Sequence, residues 1–151
     1  MRDAAVRGID ILPHREPFLY LDWLVMYSKE KSIGQVIFGE ERDFFRGHFP
    51  GCPIVPGVIL LEAMCQSAAA GVLADRRSRS DESARETLLF AGADHVRFRR
   101  PVRPGELFET QATVLALGHG IGKFHVCGRV DGVLSAEADL VCFEQKGAAR
   151  C

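Results

Sequence analysis

A histidine and a glutamate, fourteen residues apart, are the side chains best suited to chemistry in this sequence. His48 lies in a loop framed by glycines and prolines, and Glu62 lies within an apolar segment of helical spacing. Histidine titrates near neutral pH and is the usual general base, whereas an apolar environment raises the pKa of a carboxyl group so that it can hold a proton. Each residue alone is more typical of a structural role, but the two together indicate acid–base catalysis.

The start of the same helix adds a second kind of group. Gly57 and Val58 follow Pro56, so they are predicted to lie in the first turn, where backbone N–H groups have no helical partner and the dipole is positive. Such donors can stabilise a developing oxyanion. Gln66 lies four residues after Glu62, on the same helix face. A base, an acid and an oxyanion site suit removal of a proton α to a carbonyl with loss of a β-leaving group.

The elements around these residues predict an α+β fold. A helix that begins at Pro56 or Gly57 and ends near residues 74–77 is apolar nearly all round, so it should be central and buried. We expect a short helical turn near residues 8–12, strands at 18–27 and 31–40, an irregular loop at 43–57, and a solvated loop or frayed helix end at 75–86. The second half is typical of β-structure, with strands at 87–93, 95–99, 106–117, 120–130 and 133–143, and Asp131-Gly132 as a hairpin turn. This order predicts a curved antiparallel sheet wrapped around one long helix, with an exposed edge that favours oligomerisation.

Composition limits the classes of protein to consider. The chain has 151 residues, 47% of them hydrophobic and 26% charged, with a formal net charge of −1. These values predict a single globular domain over residues 1–151 and exclude a surface that is basic throughout, so no nucleic acid partner is expected. The first residues lack an apolar signal sequence, and no uninterrupted apolar stretch approaches the ~20 residues of a membrane span. We therefore expect a cytoplasmic protein without a membrane partner.

The five cysteines are odd in number and contain no CxxC pair. This spacing supports neither a zinc site nor a redox motif, and we expect small, buried, reduced thiols and no metal.

The segments around His48 and Glu62 closely resemble those of the hot-dog-fold 3-hydroxyacyl-acyl-carrier-protein dehydratases of the FabZ type. The matching stretches are GHFPGxP at 47–53 and PGVxxxEAxxQ at 56–66, with LPHRxPFL at 12–19, VRFxRPVxPG at 96–105 and VDG at 130–132. The resemblance runs from about residue 12 to residue 143. It implies a hot-dog fold, in which a curved antiparallel sheet wraps around the long helix.

The resemblance also implies roles for individual residues. His48 would take the α-proton of a 3-hydroxyacyl thioester, and Glu62 would serve the departing hydroxyl directly or through water. The backbone amide of Gly57 or Val58 would hold the thioester oxygen, with Gln66 orienting the carboxylate. The residues placed at the substrate are Gly57, Val58, Gln66 and Phe49. In this family the histidine and glutamate of one site come from different subunits, so we expect a homodimer or a trimer of dimers, and no cofactor beyond the phosphopantetheine that the substrate carries.

Four arginines form a basic cluster with no acidic residue between them: Arg97, Arg99, Arg100 and Arg103. They are either a solvated strand edge or a contact for an acidic acyl carrier protein or its phosphopantetheine phosphate, which arginine binds well. The remaining histidines, His14, His95, His119 and His125, are interpreted as structural.

These patterns predict an enzyme that dehydrates 3-hydroxyacyl thioesters on acyl carrier protein to trans-2-enoyl thioesters, in fatty-acid or related polyketide or lipid biosynthesis. Two alternatives stay open at this point. One is a hot-dog thioesterase, and the other is a non-catalytic subunit that binds an acyl carrier in a biosynthetic complex.

Overall fold

One long apolar helix packs against a seven-stranded sheet in the computed structural model, which describes residues 2–80 and 87–145. The strands pair antiparallel in the order β1-β2-β3-β5-β6-β7-β4. The elements are β1 (Arg2–Arg7), α1 (Gly8–Ile11), β2 (Trp23–Tyr27), β3 (Lys31–Ile37), a 3₁₀ turn (Asp43–Arg46), α2 (Gly57–Ser78), β4 (Thr87–Phe98), β5 (Leu107–Gly118), β6 (Ile121–Val130) and β7 (Val133–Gln145). The predicted architecture, one helix wrapped by an antiparallel sheet, is confirmed.

Helix α2 forms because its sequence is rich in alanine and leucine and starts behind a proline. Pro56 is the N-cap, and Arg76 and Arg77 lie in the last turn, where positive charge suits the helix dipole. By length and composition the helix could cross a membrane, but 72% of its apolar stretch is buried inside the fold. It is therefore the core helix, as its all-round apolarity predicts.

Two glycines bring α2 and the sheet into close contact. A Cβ atom on Gly71 would lie 2.4 Å from the Cβ and Oγ of Ser32, and one on Gly34 would lie 2.4 Å from the Oγ of Ser67. Ser32 Oγ also donates a hydrogen bond to the Ser67 carbonyl at 3.3 Å. Small residues on both sides thus set the depth at which the helix lies on β3.

The strands of the first half differ from expectation. The predicted strand at 18–27 begins only at Trp23, because the backbone N–H of Tyr20 donates to the Gln66 side chain at 2.7 Å and takes no part in a strand ladder. An additional strand, Arg2–Arg7, pairs with β2. The predicted start of the core helix is confirmed, and residues 75–78, expected as loop or frayed helix end, form the end of that helix. Residues 81–86 of that predicted loop lie outside the described part of the chain.

The second half is β-structure, as predicted, but the two expected strands at 87–93 and 95–99 are one. Strand β4 continues across a register shift between Asp94 and Arg97, with His95 at a φ of 53°. A bulge can absorb an extra residue without ending a strand. In the sequence, the interrupted alternation at this point resembles the end of one strand and the start of another. Asp131 and Gly132 form the predicted hairpin turn, with φ values of 51° and 76° that suit a type I′ turn.

The cysteines are partly as expected. Cys65, Cys127 and Cys142 are buried thiols, and the Sγ atoms of Cys65 and Cys142 are 3.9 Å apart. The expectation was wrong for Cys52, which is exposed in the loop after His48. Cys151 lies outside the described residues.

Candidate active site

His48 is held by the loop that follows the 3₁₀ turn. Its backbone N–H donates to the Phe44 carbonyl at 2.9 Å, and its carbonyl accepts from the Ile54 N–H at 3.0 Å. The ring Nδ1 lies 3.0 Å from the Ile54 carbonyl oxygen. Because a carbonyl oxygen can only accept, Nδ1 carries the hydrogen and Nε2 is left with a free lone pair. The imidazole is therefore oriented as a general base with Nε2 as its basic atom.

Phe49 stacks on the His48 ring, with centroids 4.1 Å apart and planes inclined by 25°. The phenyl ring is 53% exposed and lines a neighbouring pocket with Arg46, Pro50 and Pro53. Its direct contact is with the imidazole, and a contact with substrate stays a prediction.

The N-terminus of α2 lies in the same pocket as His48. This cavity of about 220 Å³ is lined by His48, Ile54, Gly57, Leu60, Phe98, Arg99 and other residues. A Cβ atom on Gly57 would lie 2.7 Å from the Phe98 ring, so a glycine is needed for this close approach. Val58 is 70% exposed and does not line the pocket. The geometry thus favours Gly57 over Val58 as the amide beside the histidine.

Glu62 lies further along α2, in a second pocket of about 250 Å³. Its side chain is 17% exposed. Oε1 accepts a hydrogen bond from the Gln66 side-chain N–H at 3.0 Å. The predicted alignment of these two residues on one helix face is confirmed.

Gln66 is 1% exposed and has its polar atoms engaged by the protein. Its Oε1 accepts from the Tyr20 N–H at 2.7 Å, and its Nε2 donates to the Phe18 carbonyl at 3.1 Å as well as to Glu62. The side chain therefore acts as a link that fixes the carboxylate to the backbone of residues 18–20. Its direct contact with substrate is a prediction that this packing does not favour.

His14 is the residue at the site that the sequence interpretation missed. Its Nε2 lies 3.7 Å from Glu62 Oε1, and both side chains line the second pocket. Burial lowers the pKa of His14, and the Glu62 charge opposes this only in part. His14 belongs to the LPHR segment at residues 12–15, which the family resemblance includes. The sequence alone did not show that this loop packs against α2.

Within one chain, His48 and Glu62 line different pockets. His48 shares its pocket with Gly57 and Phe98, whereas Glu62 shares its pocket with His14, Cys65 and residues of β4. One chain thus presents each half of the predicted pair separately.

The arginine cluster is less free than its sequence suggests. Arg99 pairs with Glu137, and Arg100 pairs with Glu106 at 2.7 Å. The Arg97 guanidinium donates to the Val96 carbonyl at 2.9 Å, and the backbone N–H of Arg103 donates to Glu106 at 2.7 Å. The pairing of β4 with β7 brings Glu137 to Arg99, and the loop between β4 and β5 brings Glu106 back to Arg100. Within this cluster, Arg97 and Arg103 are the two arginines without an ion pair in the described part of the chain.

Comparisons with known proteins agree with this geometry. A family model described as a FabA-like domain matches residues 12–141. The 3-hydroxyacyl-[acyl-carrier-protein] dehydratase FabZ of Sodalis glossinidius is 38% identical over 143 residues, covering 93% of this chain and 91% of that protein. The enzyme of the same name from Yersinia pestis is 40% identical over 144 residues, covering 93% and 79%.

Solved structures support the fold. The dehydratase heterocomplex ApeI:P from Xenorhabdus doucetiae superposes with a TM-score of 0.80 at 19% identity, covering 93% of this chain and 92% of that chain. A sigma28-regulated virulence protein from Campylobacter jejuni superposes with a TM-score of 0.65 at 15% identity, covering 92% and 87%. At these identities the likeness concerns the hot-dog fold alone. The family match over residues 12–141, together with the two curated relatives, establishes that this chain belongs to the FabA-like family.

Proposed function

We propose that this chain catalyses the dehydration of 3-hydroxyacyl thioesters on acyl carrier protein to trans-2-enoyl thioesters in fatty-acid biosynthesis. The observation that carries the proposal is that the chain presents both an oriented imidazole, suited to act as a base, and a carboxyl group held in place. His48 has Nδ1 engaged and Nε2 free, and Glu62 has one oxygen fixed by Gln66. The names of the curated relatives support the same reaction.

In the reaction, His48 Nε2 takes the proton from the α-carbon of the thioester. The electron pair of that C–H bond forms the α,β-double bond, and the β-hydroxyl leaves. Glu62 supplies the proton that converts the hydroxyl to water, directly or through a bridging water. Such proton transfers contribute roughly 10²- to 10⁴-fold each to an enzymatic rate.

The amide of Gly57 is the proposed donor to the thioester oxygen. It lies at the positive end of the helix dipole, in the pocket that also contains His48. Negative charge that develops on this oxygen during α-proton removal is therefore stabilised where the base acts.

A second copy of the chain completes the proposed site. Strand β4 is the last strand of the sheet order and exposes Leu89, Phe90 and Phe98, each more than 40%. A long apolar edge of this kind is normally covered by a partner. A two-fold arrangement would place His48 of one subunit opposite Glu62 of the other, which accounts for the separate pockets within one chain.

The carrier protein is the proposed partner, with the phosphate of its phosphopantetheine near Arg97 and Arg103. These cations suit an acidic partner. We also propose that the enzyme acts in the cytoplasm, as a homodimer or a trimer of such dimers, and that it needs no metal or organic cofactor.

The test is a dehydration assay with carrier-bound 3-hydroxyacyl thioesters, comparing the wild type with His48→Ala and Glu62→Gln. Loss of the trans-2-enoyl product by roughly 10²-fold or more in each variant supports the assigned roles. Release of free thiol without an enoyl product would instead favour a thioesterase. Tight carrier binding without turnover in the wild type would favour a non-catalytic subunit.

Mixing the two variants tests the shared site. A mixed dimer of His48→Ala and Glu62→Gln subunits contains one intact site and one site that has lost both residues. After unfolding and joint refolding in equal amounts, random pairing predicts about one quarter of wild-type activity, although each variant alone is inactive. No recovery in refolded, dimeric mixtures would show that both residues of a site come from one chain.

A further inference from the structure

His14 lies beside Glu62, the proposed acid, but the reaction proposed above assigns no role to His14. Its Nε2 is 3.7 Å from Glu62 Oε1, with side-chain exposures of 26% for His14 and 17% for Glu62. Its Nδ1 is buried and has no hydrogen-bond partner in the described part of the chain. A half-buried ring with one nitrogen facing a carboxylate and the other buried and unpartnered is costly to retain, which suggests that it serves the carboxylate.

The two oxygens of Glu62 are not equivalent. The Tyr20 N–H fixes the direction of the Gln66 amide, so the Gln66 NH₂ group must face the Phe18 carbonyl and Glu62 Oε1. Oε1 is therefore always a hydrogen-bond acceptor. His14 Nε2 faces this same oxygen. The other oxygen, Oε2, is left to carry the acid proton.

The state of His14 follows from its surroundings. Burial lowers the pKa of the imidazole, so it is neutral at neutral pH. If Nε2 were bare, its lone pair would face the lone pairs of Oε1, which is repulsive. The tautomer with hydrogen on Nε2 instead directs a donor at Oε1, and leaves Nδ1 as the bare, unpartnered atom.

We propose that His14 is a positioning residue for Glu62: as a neutral imidazole it acts with Gln66 to hold Oε1 as an acceptor, so that Oε2 carries the proton for the departing hydroxyl. This inference rests on the dehydratase function proposed above. Under this inference, the loop before β2 helps to position Glu62.

The charge on His14 also enters the pH dependence. The other titratable groups that act on this pocket include the thiol of Cys65 and the phenol of Tyr20, whose raised pKa values keep them neutral near pH 7. The thiol of Cys142 contacts Cys65, and the hydrogen bond between the two thiols lowers the pKa of Cys142. The Arg15 guanidinium donates to the carbonyls of Leu12 and His14. When acid protonates His14, the neutral imidazole beside Glu62 Oε1 becomes a full positive charge, so the charge state of His14 contributes to the acid limb of the pH profile.

The test compares wild type, His14→Leu and His14→Gln in steady-state dehydration across pH. His119→Asn, at an exposed turn with a φ of 54°, is the matched control. We expect His14→Leu to lower kcat about 10- to 100-fold with a smaller change in KM, because misplacement of a catalytic group by about 1 Å has effects of this size. We expect His14→Gln, which keeps an N–H donor, to recover much of the loss. Both variants should show a shallower acid limb of log(kcat/KM) than the wild type and the control.

Each result separates this inference from the proposed function. If the wild type has no dehydratase activity, the proposed function fails. If the wild type is active and His14→Leu keeps the wild-type kcat and acid limb, only the role of His14 fails. It also fails if both variants are equally slow, keep the wild-type acid limb and unfold at lower urea concentration, since this is the result for a purely structural residue.

Discussion

At the scale of single residues, the site depends on hydrogen bonds that leave one atom of each reacting group free. His48 has Nδ1 committed to a backbone carbonyl, and Glu62 has Oε1 committed to Gln66. The atoms that remain, Nε2 and Oε2, are the ones that the proposed reaction uses. Gln66 is the central residue of this arrangement because it connects the carboxylate to the backbone of another segment.

Gln66→Leu should therefore impair both stability and turnover. The leucine leaves the buried Tyr20 N–H and Phe18 carbonyl without their side-chain partner, which costs roughly 1–3 kcal/mol of unfolding free energy. Urea unfolding measures this cost, and the dehydration assay should show a lower kcat because Glu62 is no longer held. Gln35→Leu, at a less buried hydrogen bond to Glu109, is the control. Equal stability of the two variants would contradict the role given to Gln66.

At the scale of elements, close contact between α2 and β3 sets the position of the helix that carries Glu62. Gly71 allows this contact because a side chain there would overlap Ser32. The outer face of the sheet has a different kind of link, in which Asp139 on β7 accepts from His95 on β4 and from His125 on β6 at 2.9 and 2.8 Å. Three neighbouring strands are thus connected through one carboxylate.

Gly71→Ala should destabilise the protein although alanine is the better helix former. Overpacking of a tight contact costs roughly 1–3 kcal/mol, more than the gain of up to about 1 kcal/mol in helix propensity. The double variant Gly71→Ala with Ser32→Gly removes the overlapping atoms and should recover part of the loss in urea unfolding. Additive losses in the double variant would show that the contact with Ser32 is not the cause.

The Asp139 link predicts a pH effect on stability. Hydrogen bonds from His125 and His95 lower the pKa of Asp139 in the folded state. A lowered folded pKa means that the stabilisation is present above the unfolded value, about 3.9, and is lost as the pH falls through the folded value. Asp139→Asn should therefore be less stable than wild type at pH 5, and the difference should shrink below about pH 4. A constant difference across this range would refute the assignment.

At the scale of the whole molecule, one chain contains both residues of the proposed catalytic pair but places them in separate pockets. The exposed apolar residues on β4 lie at an edge of the sheet, where a second copy can pair with them. Under the proposed arrangement function and assembly are coupled, because a single chain holds His48 and Glu62 in two separate, incomplete sites.

Leu89→Lys should separate the dimer and abolish dehydration together. Leu89 on β4 is 43% exposed, and a charge at an apolar edge disfavours pairing. Leu115→Lys is the matched control, since Leu115 is 60% exposed but lies on β5, inside the strand order. Analytical ultracentrifugation measures the mass, and the dehydration assay measures turnover. A dimeric Leu89→Lys protein would place the interface elsewhere.

The sequence by itself determined the helix, its buried character, the hairpin turn and the chemistry of the His48 and Glu62 pair. These features depend on local spacing, on proline and glycine geometry and on the properties of single side chains, which are all present along a short segment. The resemblance of these local motifs to those of a known family also predicted the fold and the reaction.

Only the tertiary structure decided which distant groups meet. The Gln66 bond to Tyr20 spans 46 residues, and His14 reaches Glu62 across a similar separation. The pairing of Arg99 with Glu137, the unbroken strand β4 and the exposure of Cys52 likewise depend on how elements pack. Packing of this kind arises from burial and register over the whole chain, so no local pattern encodes it. It is this packing that orients the His48 ring and holds the Glu62 carboxyl group.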